Sequence, residues 1–129
     1  MTAWIDVCAL EDLVPERGAA ALLEGTQIAV FRLLDDEVVA VQQKDPFSGA
    51  NVLSRGLVGS AGDRTIVSSP MYKQVWDVRT GECLDAAGKT PQDLASYPAR
   101  VADGRVEVQA VARVVEPVAE PGADDEVGR

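Results

Sequence analysis

The chemistry open to a chain is limited first by the side chains it owns, and this one owns no histidine. Without an imidazole there is no Ser-His or Cys-His nucleophile pair, no histidine general base and no imidazole metal ligand. The two cysteines, Cys8 and Cys83, stand 75 positions apart. That is neither a secreted disulfide framework nor a metal-ligand spacing, and they read as two buried, reduced thiols. The paired acids Asp35-Asp36 fall in a turn between two apolar runs, a poor setting for acid–base work. Gly18, Gly25 and the later glycines form no G-x-G-x-x-G, so no phosphate loop follows a strand. Two connections remain where polar, aromatic and basic residues gather on Pro- and Gly-bearing segments. One is Lys44-Asp45-Pro46-Phe47-Ser48-Gly49-Ala50, and the other runs SPMYKQVWDVRTG from Ser69 to Gly81. In them Asp45 before Pro46 starts a turn, Phe47, Met71 and Trp76 are packing residues, and the glycines supply positive φ. No constellation supports catalysis by this chain alone.

The surrounding composition is that of a soluble domain. The 129 residues are 47% hydrophobic and 26% charged, enough for one core and too few for two domains. Twenty-one acids against 12 bases give a formal charge of −9, which disfavours binding to nucleic acid phosphates. No apolar run approaches the roughly 18–20 residues of a membrane span. The opening MTAWIDVCAL carries no secretory signal, so a cytoplasmic location is expected. The acidity is uneven: residues 1–43 carry a net −6, residues 44–79 a net +2, and residues 116–129 a net −4. A mildly basic centre in an acidic chain suits docking to an acidic partner. Arg55, Lys73 and Arg79, ordinary surface charges otherwise, are the candidate contacts.

Short strands must position those segments. Alternation over Trp4–Cys8, apolar β-branched runs at Gln27–Leu34 and Glu37–Gln42, and strand-like Thr65–Ser68 and Lys73–Val78 point to antiparallel pairing. Glu24-Gly25, Asp35-Asp36, Arg79–Glu82 and Asp103-Gly104 mark the turns, the last between strands Tyr97–Val101 and Arg105–Val111. Leu10–Val14 holds at most one helical turn, and Pro91–Ala95 is expected to form another. With Pro46, Gly49, Gly56, Gly59 and Gly62, the stretch Lys44–Gly62 reads as a long ordered loop. About nine short strands predict an all-β antiparallel sandwich or barrel. The fold is expected over residues 1–115, followed by an acidic, disordered tail at 116–129 with five acids and two prolines.

The stretch Trp76-Asp77-Val78-Arg79-Thr80-Gly81 resembles the strand and turn that follow the second ligand loop of Rieske domains. Such domains hold a [2Fe–2S] cluster with Cys-x-His on one loop and Cys-x-x-His on the other. In that frame the first-loop ligand positions fall on Asp45 and Phe47, and the second-loop positions on Ser69 and Tyr72. All four ligands are replaced, and 21 residues separate Phe47 from Ser69, longer than is usual in the family. The run Asp45 to Gly56 (DPFSGANVLSRG), Ser69-Pro70 with Lys73-Gln74, and the opening Trp4 to Cys8 are similar to the small subunit of assimilatory NAD(P)H-dependent nitrite reductase. The likeness covers about residues 3–111.

That resemblance implies a Rieske-like fold with two long loops at a vestigial cluster site, no metal or cofactor in this chain, and a cytoplasmic enzyme reducing nitrite to ammonium. The large subunit would be the partner and would carry FAD, an iron–sulfur cluster and sirohaem. Docking would use the two former cluster loops, with Phe47 and Tyr72 filling the space a cluster would take. Two other readings stand beside it. One is a cluster-less interaction module for another reductase or oxygenase. The other is an atypical [2Fe–2S] carrier using Asp45, Ser69, Tyr72 or a cysteine.

Overall fold

The computed structural model describes residues 3–113, so the expected domain end at Val115 and the tail 116–129 lie outside the described residues. The fold is all-β, built as three antiparallel sheets in layers, and among the described residues none closes into a barrel. The central sheet has the order β2 (Gly18–Leu23), β3 (Thr26–Arg32), β4 (Val38–Gln42), β9 (Ser96–Tyr97). A terminal sheet pairs β1 (Ile5–Ala9) with β11 (Arg105–Val108) and then β10 (Ala99–Ala102). A third sheet runs β5 (Leu57–Ala61), β6 (Arg64–Ser68), β7 (Val75–Asp77), β8 (Cys83–Asp85).

The central sheet is apolar on consecutive residues because both of its faces are covered. Ile28 and Val30 of β3, with Val38 and Ala40 of β4, join Leu13, Tyr97, Val106 and Val108 against the terminal sheet. The alternate residues Ala29, Phe31, Val39 and Val41 join Leu53, Val67, Trp76 and Val78 against the third sheet. The half-buried thiols separate in the same way: Cys8 packs on the first cluster and Cys83 on the second. Burial raises the pKa of the Cys8 thiol, with Asp12 adding to the effect, which leaves it a weak nucleophile.

The hairpins at Glu24-Gly25, Asp35-Asp36 and Asp103-Gly104 form as expected, and Glu24, Asp36 and Asp103 take left-handed backbone conformations there. Three expectations fail, the first being the strand at Tyr97–Val101, which is broken at Pro98 into β9 of the central sheet and β10 of the terminal sheet. Lys44–Gly62 is not all loop, since its second half is a 3-10 turn at Leu53–Arg55 followed by β5 on the edge of the third sheet. Of its glycines, Gly56 permits close packing: a Cβ there would lie 2.5 Å from the Ser68 carbonyl oxygen and 2.8 Å from Val67 Cγ2. Pro91–Ala95 forms no helical turn and is irregular, its polar groups claimed by neighbours. Leu94 N–H donates to Gly81 O at 2.8 Å, and Asp93 Oδ1 accepts from Cys83 N–H at 2.8 Å.

The close approach of Gly81 to Leu94 yields a stability prediction. Gly81 sits at φ +83°, and a Cβ there would collide with the Leu94 carbonyl, whereas Gly62 at φ +64° faces open space. Gly62→Ala should cost only the left-handed penalty of about 1–2 kcal/mol. Gly81→Ala adds an overpacking cost of about 1–3 kcal/mol. Urea midpoints will separate the two variants; equal losses would mean that the Gly81–Leu94 contact yields freely.

Candidate functional site

The two Pro-bearing loops are held by their own hydrogen bonds and then by each other. In the first loop, Asp45 is fully buried. Its backbone N–H donates to Ala50 O at 2.8 Å, and its carbonyl accepts from Gly49 N–H at 2.7 Å. Its Oδ1 accepts from Phe47 N–H at 2.8 Å and Ser48 N–H at 3.3 Å, so the side chain organises the turn it starts. In the second loop, Ser69 N–H donates to Gln74 O at 2.8 Å, and Ser69 Oγ accepts from Met71 N–H at 3.1 Å. The same hydroxyl donates to Asp45 Oδ2 at 2.5 Å, a buried bond joining positions 24 residues apart.

The other two positions that the resemblance singles out, Phe47 and Tyr72, diverge. Phe47 turns inward, its ring centroid 5.9 Å from that of Trp76. Trp76 is fully buried, and its Nε1–H donates to Gln92 O at 2.8 Å. Tyr72 does not fill the interior as expected. It is 53% exposed at the loop tip, with Lys89 Nζ 5.9 Å above its ring. Ser69 N–H bonded to Gln74 O, and Met71 N–H bonded to Ser69 Oγ, fix a tight tip that carries the ring outward.

The motif after the second loop is a turn built on Asp77. Its Oδ1 accepts from Arg79 N–H at 2.8 Å and Thr80 N–H at 3.2 Å, and its carbonyl accepts from Gly81 N–H at 2.8 Å. Arg79 is engaged within the chain. It grips Glu37 through Nε and a terminal nitrogen at 2.8–3.1 Å and donates to Thr65 Oγ1 at 3.1 Å. The Glu37 hydrogen bond raises the pKa of its guanidinium. Arg55 and Lys73 instead line one groove of about 520 Å³ with Leu57, Ser68, Ser69 and Pro70. Neither has an acidic partner among the described residues.

Residue-type reasoning missed three contributors. Gln43 is buried, and its Oε1 accepts from Ser54 N–H at 2.8 Å, anchoring the start of the Leu53–Arg55 turn. Leu57, 77% exposed, and Lys89 both border the second-loop tip. Their only sequence signal was an apolar residue and a lysine beside glycine-rich connections.

A [2Fe–2S] cluster of the Rieske kind needs two thiolates and two imidazoles. The residues present do not fit it. Asp45 and Ser69 bond to each other, Phe47 offers only hydrocarbon, and Tyr72 faces away from the pair. Among the described residues no group of three or more His, Cys, Asp or Glu gathers as a metal site.

The layered fold, with two loops joined at one end by a buried hydrogen bond, defines a Rieske-like domain. Residues 3–109 match the family described as a Rieske-like [2Fe–2S] domain. The NADH nitrite reductase small subunit of Escherichia coli K12 is 37% identical over 110 residues, 84% of this chain and 99% of that protein. The crystal structure of a Mycobacterium tuberculosis protein assigned as an NADH-dependent nitrite reductase small subunit has 45% identity and a TM-score of 0.78. It covers 90% of this chain and 99% of that one. The chain belongs to the nitrite reductase small-subunit family. A second kind of relative is the nitrite reductase [NAD(P)H] large subunit of Klebsiella oxytoca. It is 41% identical over 103 residues, which are 80% of this chain but 10% of that protein.

The strut can be measured by mutation. Ser69→Ala leaves a buried Asp45 oxygen without its donor and should cost about 1–3 kcal/mol. Asp45→Ala should cost at least as much, since two loop N–H groups lose their acceptor as well. In the double variant the losses should fall short of additive by about 1 kcal/mol or more. Urea denaturation of the four proteins supplies the cycle, and strictly additive losses would show that the two side chains do not act together.

Proposed function

We propose that this chain is the small, non-catalytic subunit of a cytoplasmic NAD(P)H-dependent nitrite reductase that reduces nitrite to ammonium in nitrate assimilation. The redox groups, FAD, an iron–sulfur cluster and sirohaem, belong to the large subunit in this reading, and this chain supplies a docking domain. The observation that carries it is the buried Asp45–Ser69 bond with an inward Phe47 and an outward Tyr72, at the four positions where the resemblance to Rieske domains would put cluster ligands. The loops stay ordered with no thiolate or imidazole to hold iron, so what the fold offers is a shaped surface. Absence of histidine and of paired cysteines supports the same assignment of the electron-transfer steps to the partner.

The Klebsiella relative supports the choice of partner, because there a domain similar to this chain is part of the large polypeptide itself. Covalent linkage raises effective concentration without requiring a new contact. A separate chain must reach the same arrangement by affinity, and one copy per large subunit follows from the fused layout.

Co-expression tests the proposal. The large subunit should co-purify with this chain in equimolar amounts, and nitrite-dependent NAD(P)H oxidation should rise markedly over that of the large subunit alone. Failure to co-purify together with an unchanged rate would return the domain to a different partner.

A further inference from the structure

Five of the described cations, Arg32, Arg64, Arg79, Arg100 and Arg105, each hold an acidic partner within the fold. In a chain with 21 acids against 12 bases, a cation left without one stands out. Among the described residues Arg17, Lys44, Arg55, Lys73, Lys89 and Arg113 have no ion-pair partner. Four of these six border one region. Arg55 and Lys73 line the groove beside the second-loop tip, Lys89 lies over the Tyr72 ring, and Arg17 shares a neighbouring groove with Arg55 and Glu16. Between them stand exposed apolar groups: Leu57 at 77%, Tyr72 at 53% and Met71 at 46%, with Pro70 also exposed.

An apolar, aromatic centre with a mainly cationic rim is the anatomy of a protein interface, where Tyr, Met and Arg are enriched. The tip is also rigid before binding. Ser69 ties it to Asp45, to Met71 N–H and to the Gln74 carbonyl, so ordering it on association costs little. Resting on the small-subunit reading above, we infer that this face docks on the large subunit. Pro70, Met71 and Tyr72 enter an apolar depression there, and carboxylates at its margin meet Arg55, Lys73 and Lys89. The first and last strands give room for it. Ile5 pairs with Val108 in the terminal sheet, across the central sheet from β5–β8, so the first and last strands lie in the far layer.

Lys73 helps to design the test. It sits at φ +65°, a conformation that glycine adopts without strain. Lys73→Gly therefore removes the charge while relieving the backbone, and Lys73→Glu reverses it. The probe is the purified large subunit, and the readout is its dissociation constant for the full chain as ionic strength is varied. Arg55→Glu, Lys73→Glu and Tyr72→Ala should each weaken binding by at least roughly tenfold. Lys73→Gly should weaken it less while raising the urea midpoint. Wild-type affinity should fall with salt, and the Arg55→Glu/Lys73→Glu double variant should lose most of that dependence. Arg100→Glu on the terminal sheet should bind as wild type.

Unchanged affinity in the loop-face variants, while wild type binds, would overturn this face and leave the subunit reading standing. Equal weakening by Arg100→Glu would overturn it too, as a general charge effect. A change in the chain's own oligomeric state would assign the surface to a second copy and overturn it. Failure of wild type to bind at all would remove both the face and the reading beneath it.

Discussion

One hydroxyl-to-carboxyl bond, from Ser69 to Asp45 at 2.5 Å, joins the two loops on which the functional end of this molecule depends. Each partner is also the organiser of its own loop, Asp45 through the N–H groups of Phe47 and Ser48, Ser69 through those of Met71 and its own backbone. The strut therefore links two turns that are already closed. Burial matters here as much as geometry, since a polar group taken from water is costly unless it is partnered. A change to either residue is felt by both loops.

The layers beneath explain why the strut can sit where it does. Covered on both faces, the central sheet holds β4 in place, and the first loop leaves directly from its end. β6 and β7 of the third sheet carry the second loop. Leu53, Phe31 and Trp76 fill the space between these layers. Gly18 and Gly56 let the Leu53–Arg55 turn approach both layers, and a Cβ on Gly18 would stand 2.5 Å from Ser54 O. A rigid frame thus sets the loop ends at hydrogen-bonding distance with no metal ligand to draw them together.

Much of this was legible in the residues. Apolar runs at Gln27–Leu34 and Glu37–Gln42 marked strands, and Glu24-Gly25, Asp35-Asp36 and Asp103-Gly104 placed their turns, but cover on both faces of the central sheet was not read from them. Once the Trp-Asp-x-x-Thr-Gly stretch set the frame, the resemblance picked out Asp45, Phe47, Ser69 and Tyr72, none of them a cysteine or a histidine. Direction was not legible: which of Phe47 and Tyr72 turns inward depends on main-chain bonds in each loop. Nor could the sequence separate Arg79 from Arg55, since Glu37, which engages Arg79, lies 42 residues away and meets it only across the folded sheets. β5 was hidden because Gly56 and Gly59 look like loop residues, although one serves close packing and the other simply occupies a strand.

Hydrogen–deuterium exchange on the full chain, free and bound to the purified large subunit, addresses the central claim most directly. A docking scaffold held by the Asp45–Ser69 strut predicts ordered, slowly exchanging loop amides at Ser69 and Phe47 in the free chain. It predicts added protection on binding confined to residues 53–57, 69–74 and the turn that carries Lys89. Protection that appeared instead on β1, β10 and β11, with both loops unchanged, would contradict the account.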